Sequence, residues 1–164
     1  MVTQAATGPI TCAWCTAQIL DGTDSLPSTN GICISCLGPG FATPVQNLEA
    51  ISDSDADRLP FGMIRMDGEG RVVAYNAKES ALSGLRKADV LGRNFFRTVA
   101  PCTCVEEFEG LVRKMMASER PLREQIQFLF KFKNNATMAQ IAVTTNPWSG
   151  YATLLVRKAD GESQ

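Results

Sequence analysis

Four side chains in one stretch of this sequence can carry chemistry together. Cys102 supplies a nucleophilic thiol in the run Val99-Ala100-Pro101-Cys102-Thr103, and upstream Tyr75, Glu79 and Ser83 recur at four-residue intervals. If the chain is helical from about Asn76, that interval stacks the three polar groups on one face, where a single ligand meets all of them. A thiol acylated by an activated carboxylic acid, beside a phenol, a carboxyl and a hydroxyl, suits a chromophore bound through sulfur. Thr103 and Glu106 read as a capping box, which makes Thr103 the N-cap of a helix and sets Cys102 one position ahead of it. There, free backbone N–H groups and the helix dipole favour a thiolate, lowering the thiol below its free value of roughly 8.5. Taken singly, each residue has a plainer reading: a small buried hydrophobe for Cys102, packing for Tyr75 and a solvated helix face for Glu79.

A second constellation lies near the N-terminus. Cys12-Ala13-Trp14-Cys15 and Cys33-Ile34-Ser35-Cys36 are C-x2-C pairs separated by 17 residues, the spacing of a zinc ribbon. Each pair points two thiolates at one ion, and four sulfurs close a tetrahedral shell, which leaves no open position for catalysis. Disulfides and unpaired thiols are the alternatives. The chain has no export signal and no stretch of roughly 20 apolar residues, so the expectation is a cytoplasmic protein with reduced thiols and no membrane span. The formal net charge is -1, with no basic stripe, so neither nucleic acid nor an anionic membrane is an expected partner. There is no histidine, which excludes a histidine triad, imidazole ligation and a histidine proton relay. Without that base Cys102 makes a poor catalytic nucleophile, and an enzyme is not expected.

With 164 residues and 45% hydrophobic content, the chain supports one real core plus a small module. Residues 1–40 read as the four-cysteine zinc-binding module, residues 41–58 as a linker with a short amphipathic helix from Val45 to Ile51, and residues 59–164 as one mixed domain. In that domain Phe61 to Met66 and Val72 to Tyr75 form a hairpin around Asp67-Gly68-Glu69-Gly70. Short helices follow between Ala77 and Arg97, broken at Gly84 and Gly92. The next helix buries Val105, Phe108, Leu111, Val112 and Met115 at 3.6-residue spacing. Ile126 to Phe132, Met138 to Thr145 and Tyr151 to Arg157 are strands, the first two joined at Asn134-Asn135. The fold class is α+β, a five-stranded antiparallel sheet with short helices on one face, as in PAS domains, plus a small zinc-ribbon-like module.

The segments from Ala74 to Gly84 and from Val90 to Thr103, with Asn94-Phe95-Phe96 and Val99-Ala100-Pro101-Cys102-Thr103 as their most specific pieces, resemble the photoactive yellow protein family. The likeness begins near Leu59-Pro60-Phe61-Gly62, is dense to Cys102 and looser beyond it, where Phe128 and Phe130 remain compatible. The resemblance implies p-coumaric acid held as a thioester on Cys102, its phenolate oxygen accepting from Tyr75 and a neutral Glu79, with Ser83 supporting the tyrosine and Phe130 lining the pocket. It implies a blue-light photoreceptor that signals by trans-to-cis isomerisation, proton transfer from Glu79 and loosening of the domain. Where the family has an arginine shielding the pocket mouth, this chain has Leu85, and Arg86 beside it is the candidate gate. Output would pass to another, unknown signalling protein, with the zinc module as an interaction or dimerisation element and a homodimer left open. The alternatives are a non-photoactive PAS adaptor acting through protein contacts of that module, and a ligand or redox sensor in which Cys102 and Cys104 react as a pair.

Overall fold

The computed structural model describes residues 10–15, 18–20, 30–38, 41–43, 45, 47–132 and 135–158. Its main feature is a five-stranded antiparallel sheet built from β4 (Gly62–Met66), β5 (Val72–Tyr75), β6 (Leu122–Phe132), β7 (Asn135–Asn146) and β8 (Tyr151–Lys158), in the order β5-β4-β8-β7-β6. The β4–β5 hairpin closes where the sequence suggests: Asp67 Oδ1 accepts from the backbone N–H groups of Glu69 and Arg71, an Asx turn. Gly70 takes the positive φ of 85° that this turn requires. Strands β6 and β7 pair from Leu122↔Thr145 to Phe132↔Asn135. The expected turn between them falls partly on residue 134, outside the described residues.

The inner face of this sheet carries the helical elements. Asn76 caps α3 (Ala77–Ser83), and α4 (Lys87–Val90), a π-helical turn at Phe95–Val99 and a 3-10 turn at Pro101–Thr103 follow. A second π-helical turn, Glu106–Gly110, leads into α5 (Leu111–Met116). Ile64, Tyr75, Phe95, Phe96, Phe108 and Leu154 anchor the core between these elements and the sheet. The helix that was to begin at Thr103 begins at Glu106 instead. Thr103 Oγ1 donates to Ala100 O at 2.6 Å, so its hydroxyl serves the preceding turn and the capping box does not form. Val105 is the extended residue before the helix and is 40% exposed, whereas Phe108, Val112 and Met115 are buried as the spacing predicts.

Antiparallel sheets usually alternate between a packed and a solvated face. Here β4 is buried at all five residues, Gly62 to Met66, and β8 is buried from Ala152 to Val156. The reason is a second core on the outer face, in which Met63, Ala142 and Leu155 pack with Cys12, Trp14 and Ile32. Cys12 ends the first strand of a small three-stranded sheet, β1 (Ile10–Cys12), β2 (Gln18–Leu20) and β3 (Asn30–Gly31); Trp14 follows β1, Ile32 follows β3, and α1 (Ile34–Leu37) comes next. The cysteine segment therefore lies against the large sheet as its cover. Within residues 41–58 the helix expected from Val45 to Ile51 is reduced to a 3-10 turn at Leu48–Ala50, and α2 spans Asp53–Ala56, capped by Ser52. Val45 is instead extended, bridged to Ile32 through two backbone hydrogen bonds of 2.8 and 3.0 Å. Arg65 on β4 fastens this segment by donating from Nη2 to Leu48 O at 2.6 Å.

Candidate functional site

Three of the polar residues that the sequence places on one face converge at the end of β5 and along α3. Tyr75 is the last residue of β5, and Asn76 turns the chain into α3 by accepting the Glu79 N–H on its Oδ1 at 3.0 Å. Glu79 and Ser83 then lie one turn apart on that helix. The hydroxyls of Tyr75 and Ser83 are 2.8 Å apart, and Ser83 Oγ also accepts from Leu85 N at 3.1 Å. Tyr75 is 2% exposed and Glu79 4%. Burial pushes Glu79 up to about 8, and its buried Oε1 has no hydrogen-bond partner among the described residues. Tyr75 is also held well above the usual phenol range, by burial first and by the charge Glu79 would carry, with Ser83 opposing. Both groups are thus neutral O–H donors at neutral pH.

Cys102 lies in the Pro101–Thr103 turn, half-buried against the cluster that contains Tyr75. Pro101 opens that turn with its fixed φ. Because the following helix starts at Glu106, Cys102 is not at a helix N-terminus. Phe130 is 4% exposed on β6 and packs in an aromatic group with Phe108 and Phe128, its centroid 6.2 and 5.4 Å from theirs. Leu85 also packs on this core. Arg86 does not join the group: its side chain is 80% exposed and its Nε donates to Asp89 at 2.9 Å. Cys104, the other half of the suggested redox pair, donates its thiol to Glu109 Oε1 at 3.2 Å. Glu109 in turn binds the Arg113 guanidinium, with Oε2 2.6 Å from Nη2, and lies 3.7 Å from Arg97.

Two residues that sequence reasoning left aside complete the site. Gly62 opens β4 directly against Glu79, and a Cβ at Gly62 would fall 2.1 Å from Oε1 of that carboxyl. Asn76 joins three elements: its Oδ1 also accepts from Met63 N at 2.8 Å, and its Nδ2 donates to Ala56 O at 2.7 Å and Phe61 O at 3.1 Å. An asparagine between a strand and a helix and a glycine at a strand's first residue were the available signals.

On the outer face, the sulfurs of Cys12, Cys15, Cys33 and Cys36 all lie within 4.8 Å of one another. Zn–S bonds of about 2.3 Å in a tetrahedron need S···S separations of about 3.8 Å, which this cluster can meet with small adjustments. The donor set also fits a cation chemically. Burial of Cys12 is outweighed by the backbone N–H groups of Cys15, Cys33 and Trp14, which bring it to about 7. Cys36 is driven up by burial and by the neighbouring thiols Cys33 and Cys12, because several thiolates cannot share so small a volume without a positive ion.

The sheet order and the covering helices define a PAS-type domain, and a family model described as the PAS fold matches residues 56–156. A PAS domain of an HTR-like protein from Haloarcula marismortui shares the fold at a TM-score of 0.51 with 14% identity, covering 65% of this chain and 92% of its own. A narrower kinship follows from relatives nearer in sequence. The photoactive yellow protein of Rhodothalassium salexigens is 37% identical over 91 residues, 56% of this chain and 72% of the relative. That of Halochromatium salexigens is 35% identical over 95 residues, 58% of this chain and 75% of the relative. The photoactive yellow protein domain of the sensor histidine kinase Ppr from Rhodospirillum centenum superposes with a TM-score of 0.63 and 34% identity, covering 68% of this chain and 96% of that domain. The chain belongs to the photoactive yellow protein family of PAS domains. Among the described residues, no helix is long and apolar enough to cross a membrane.

Proposed function

We propose that this chain is a blue-light sensor that carries p-coumaric acid as a thioester on Cys102. The observation that carries this reading is Glu79 Oε1, a buried carboxyl oxygen with no hydrogen-bond partner among the described residues, on a group that burial keeps protonated. An unpaired buried polar atom is costly unless a ligand completes it. The residues fit the group: a half-buried thiol on the same core as Tyr75, and two neutral O–H donors able to hold an anionic oxygen. When bound, the chromophore supplies visible absorption and a light-driven trans-to-cis change. Tyr75 and Glu79 stabilise the negative charge that burial alone would neutralise, and Ser83 fixes the orientation of the Tyr75 hydroxyl. Loss of the Glu79 proton would leave a carboxylate in a dry site with no partner, a state that costs several kcal/mol. That charge would press on Gly62 of β4 and on the Asn76 network, so the strain passes into β4 and the Ala56 end of α2.

Zinc on Cys12, Cys15, Cys33 and Cys36 completes the proposal, as a structural ion that holds the outer cover in place; the reduced thiols it needs support a cytoplasmic location. Signal output passes to a separate protein through that cover. The test is to treat the purified chain with p-coumaric anhydride and follow its spectrum under blue light. A visible band that bleaches and recovers, and that Cys102→Ala abolishes, is the expected result. No band, with the Cys102 thiol still titratable, would overturn the assignment.

A further inference from the structure

The thiol cluster and Glu79 lie on opposite faces of the sheet, yet two aromatic residues separate them. Trp14 stands between the first two cysteines and is 5% exposed. Its ring meets Phe61 edge-on at 5.5 Å and 70°, and the Arg157 guanidinium, itself bonded to Gln140 Oε1, covers it at 4.0 Å. The carbonyls of Ala13 and Trp14 accept from Gln125 Nε2 on β6. Phe61 then reaches Glu79 by two routes. It precedes Gly62, whose Cα abuts the Glu79 carboxyl, and its carbonyl accepts from Asn76 Nδ2, the side chain whose oxygen holds Glu79 N.

We propose that the four-thiolate centre is a second sensory input: zinc binding seats Trp14 on Phe61 and thereby sets the packing around Glu79, so the protein responds to zinc availability as well as to light. This rests on the zinc part of the reading above and is independent of the chromophore. Among the described residues, the cover is made of strands of three, three and two residues and a helix of four. Elements so short have no core of their own and hold together only when metal or docking organises them. Zinc loss therefore frees Trp14 from the sheet, uncovers Phe61 and relaxes the β4 end that closes over Glu79. Water reaching that carboxyl would lower its proton affinity. Among the described residues, the other titratable groups around it are Tyr75 on β5, whose phenol is raised by burial and by the Glu79 charge, and Asp57 after α2, which accepts from Ala77 N at the start of α3; β4 presents Gly62, which does not titrate. Linkage makes the effect reciprocal, so the charge on Glu79 must alter zinc affinity by the same factor.

The experiment uses the full chain without chromophore, with Trp148→Phe so that emission reports Trp14 alone. Zinc content is measured first, then zinc is withdrawn by a competing chelator while Trp14 emission and the Glu79 carbonyl infrared band, assigned by its loss in Glu79→Gln, are followed against pH. The expected result is a red shift of Trp14 and at least about a five-fold change in the Glu79 acid constant on zinc removal. At pH 9 Glu79→Gln should bind zinc more tightly than the parent by the same factor. Phe61→Leu, kept zinc-bound and folded, should lose that affinity difference. A Trp14 shift with an unchanged Glu79 titration, or Phe61→Leu with the affinity difference intact, overturns the coupling and leaves the zinc site standing. A chain that takes up no zinc overturns both.

Discussion

The two faces of the large sheet treat their polar groups in opposite ways. On the inner face Glu79 is sealed in with an oxygen that has no partner among the described residues, whereas on the outer face the polar atoms largely find one: Gln125 two carbonyls, Arg157 the Gln140 side chain, Cys12 the Trp14 N–H. The outer face has orphans too, Trp14 Nε1, Arg65 Nε and Thr153 Oγ1, the last a hydroxyl that does not ionise. An indole N–H and a guanidinium keep their protons throughout the ordinary pH range, so these atoms carry a fixed cost. Glu79 can change charge, and its cost depends on protonation. The lesson is that orphaned groups are not equivalent: one that titrates beside a ligand site is a switch, and one that does not is packing strain.

With the proposed zinc on the four thiols, this contrast predicts that the outer face fails when the cation is removed and the inner face fails when its proton is removed. The largest effect should come from Cys36→Ser, which takes one thiol from a cluster that anchors Cys12, Trp14, Ile32 and Leu37 in the outer core. Loss of about 3 kcal/mol or more is expected, in the range for a structural metal in a small module. Urea melts with zinc and with chelator check this, and wild-type curves that superpose under both conditions would break the contrast.

Next comes Glu79→Gln in the chromophore-free protein. The folded Glu79 value of about 8 lies above that of the unfolded chain, near 4.3 by reference, so the folded state binds the extra proton in between. Stability should therefore be full below the unfolded value, fall as pH rises from about 4.5 to 8, and level off above, by a total on the order of several kcal/mol. The glutamine variant should lack that decline and be the more stable protein at pH 8.5. A pH series of melts in which both decline in parallel would assign the burial cost to another group.

How far the sequence carries these arguments differs between the faces. Periodicity located the five strands, and the four-residue spacing located Tyr75, Glu79 and Ser83, because a buried helix face and a pleated strand both impose a short repeat on the chain. The C-x2-C spacing of the four cysteines was equally local. What could not be read locally is the docking of the cysteine segment, which joins Gln125 to Ala13 across more than a hundred residues. One trace of it was present: Met63-Ile64-Arg65-Met66 and Thr153-Leu154-Leu155-Val156 do not alternate, as strands covered on both faces do not. The capping box misled because Thr103 has two acceptable uses for its hydroxyl, and the tighter turn before it took precedence. Arg86 was placed by proximity to a family position, and it pairs instead with Asp89, three residues on in α4.

Smaller substitutions sharpen the inner half of the comparison. Gly62→Ala would drive a methyl into the Glu79 carboxyl, with Cβ 2.1 Å from Oε1 and 3.1 Å from the Glu79 Cβ and Cδ, so the helix must move as well as the carboxylate. Overpacking of this kind costs about 1–3 kcal/mol, and thermal melts should show it reduced when Glu79 is shortened to Ala in the same chain; additive losses would mean that the clash lies elsewhere.

The finest distinction is between the two hydroxyls that face each other at 2.8 Å. Ser83→Ala strands the Tyr75 hydroxyl, which belongs to a residue only 2% exposed, and an unsatisfied buried group costs about 1–3 kcal/mol. Tyr75→Phe strands less, because Ser83 Oγ still accepts from Leu85 N at 3.1 Å, and the loss should stay near or below about 1 kcal/mol. The order of the two effects follows from where the second partner is, since both mutants lose the same bond. If urea melts place Tyr75→Phe as the more damaging, then the phenol oxygen has a partner besides Ser83, and the closest candidate is the carboxyl of Glu79, which would no longer be an open donor.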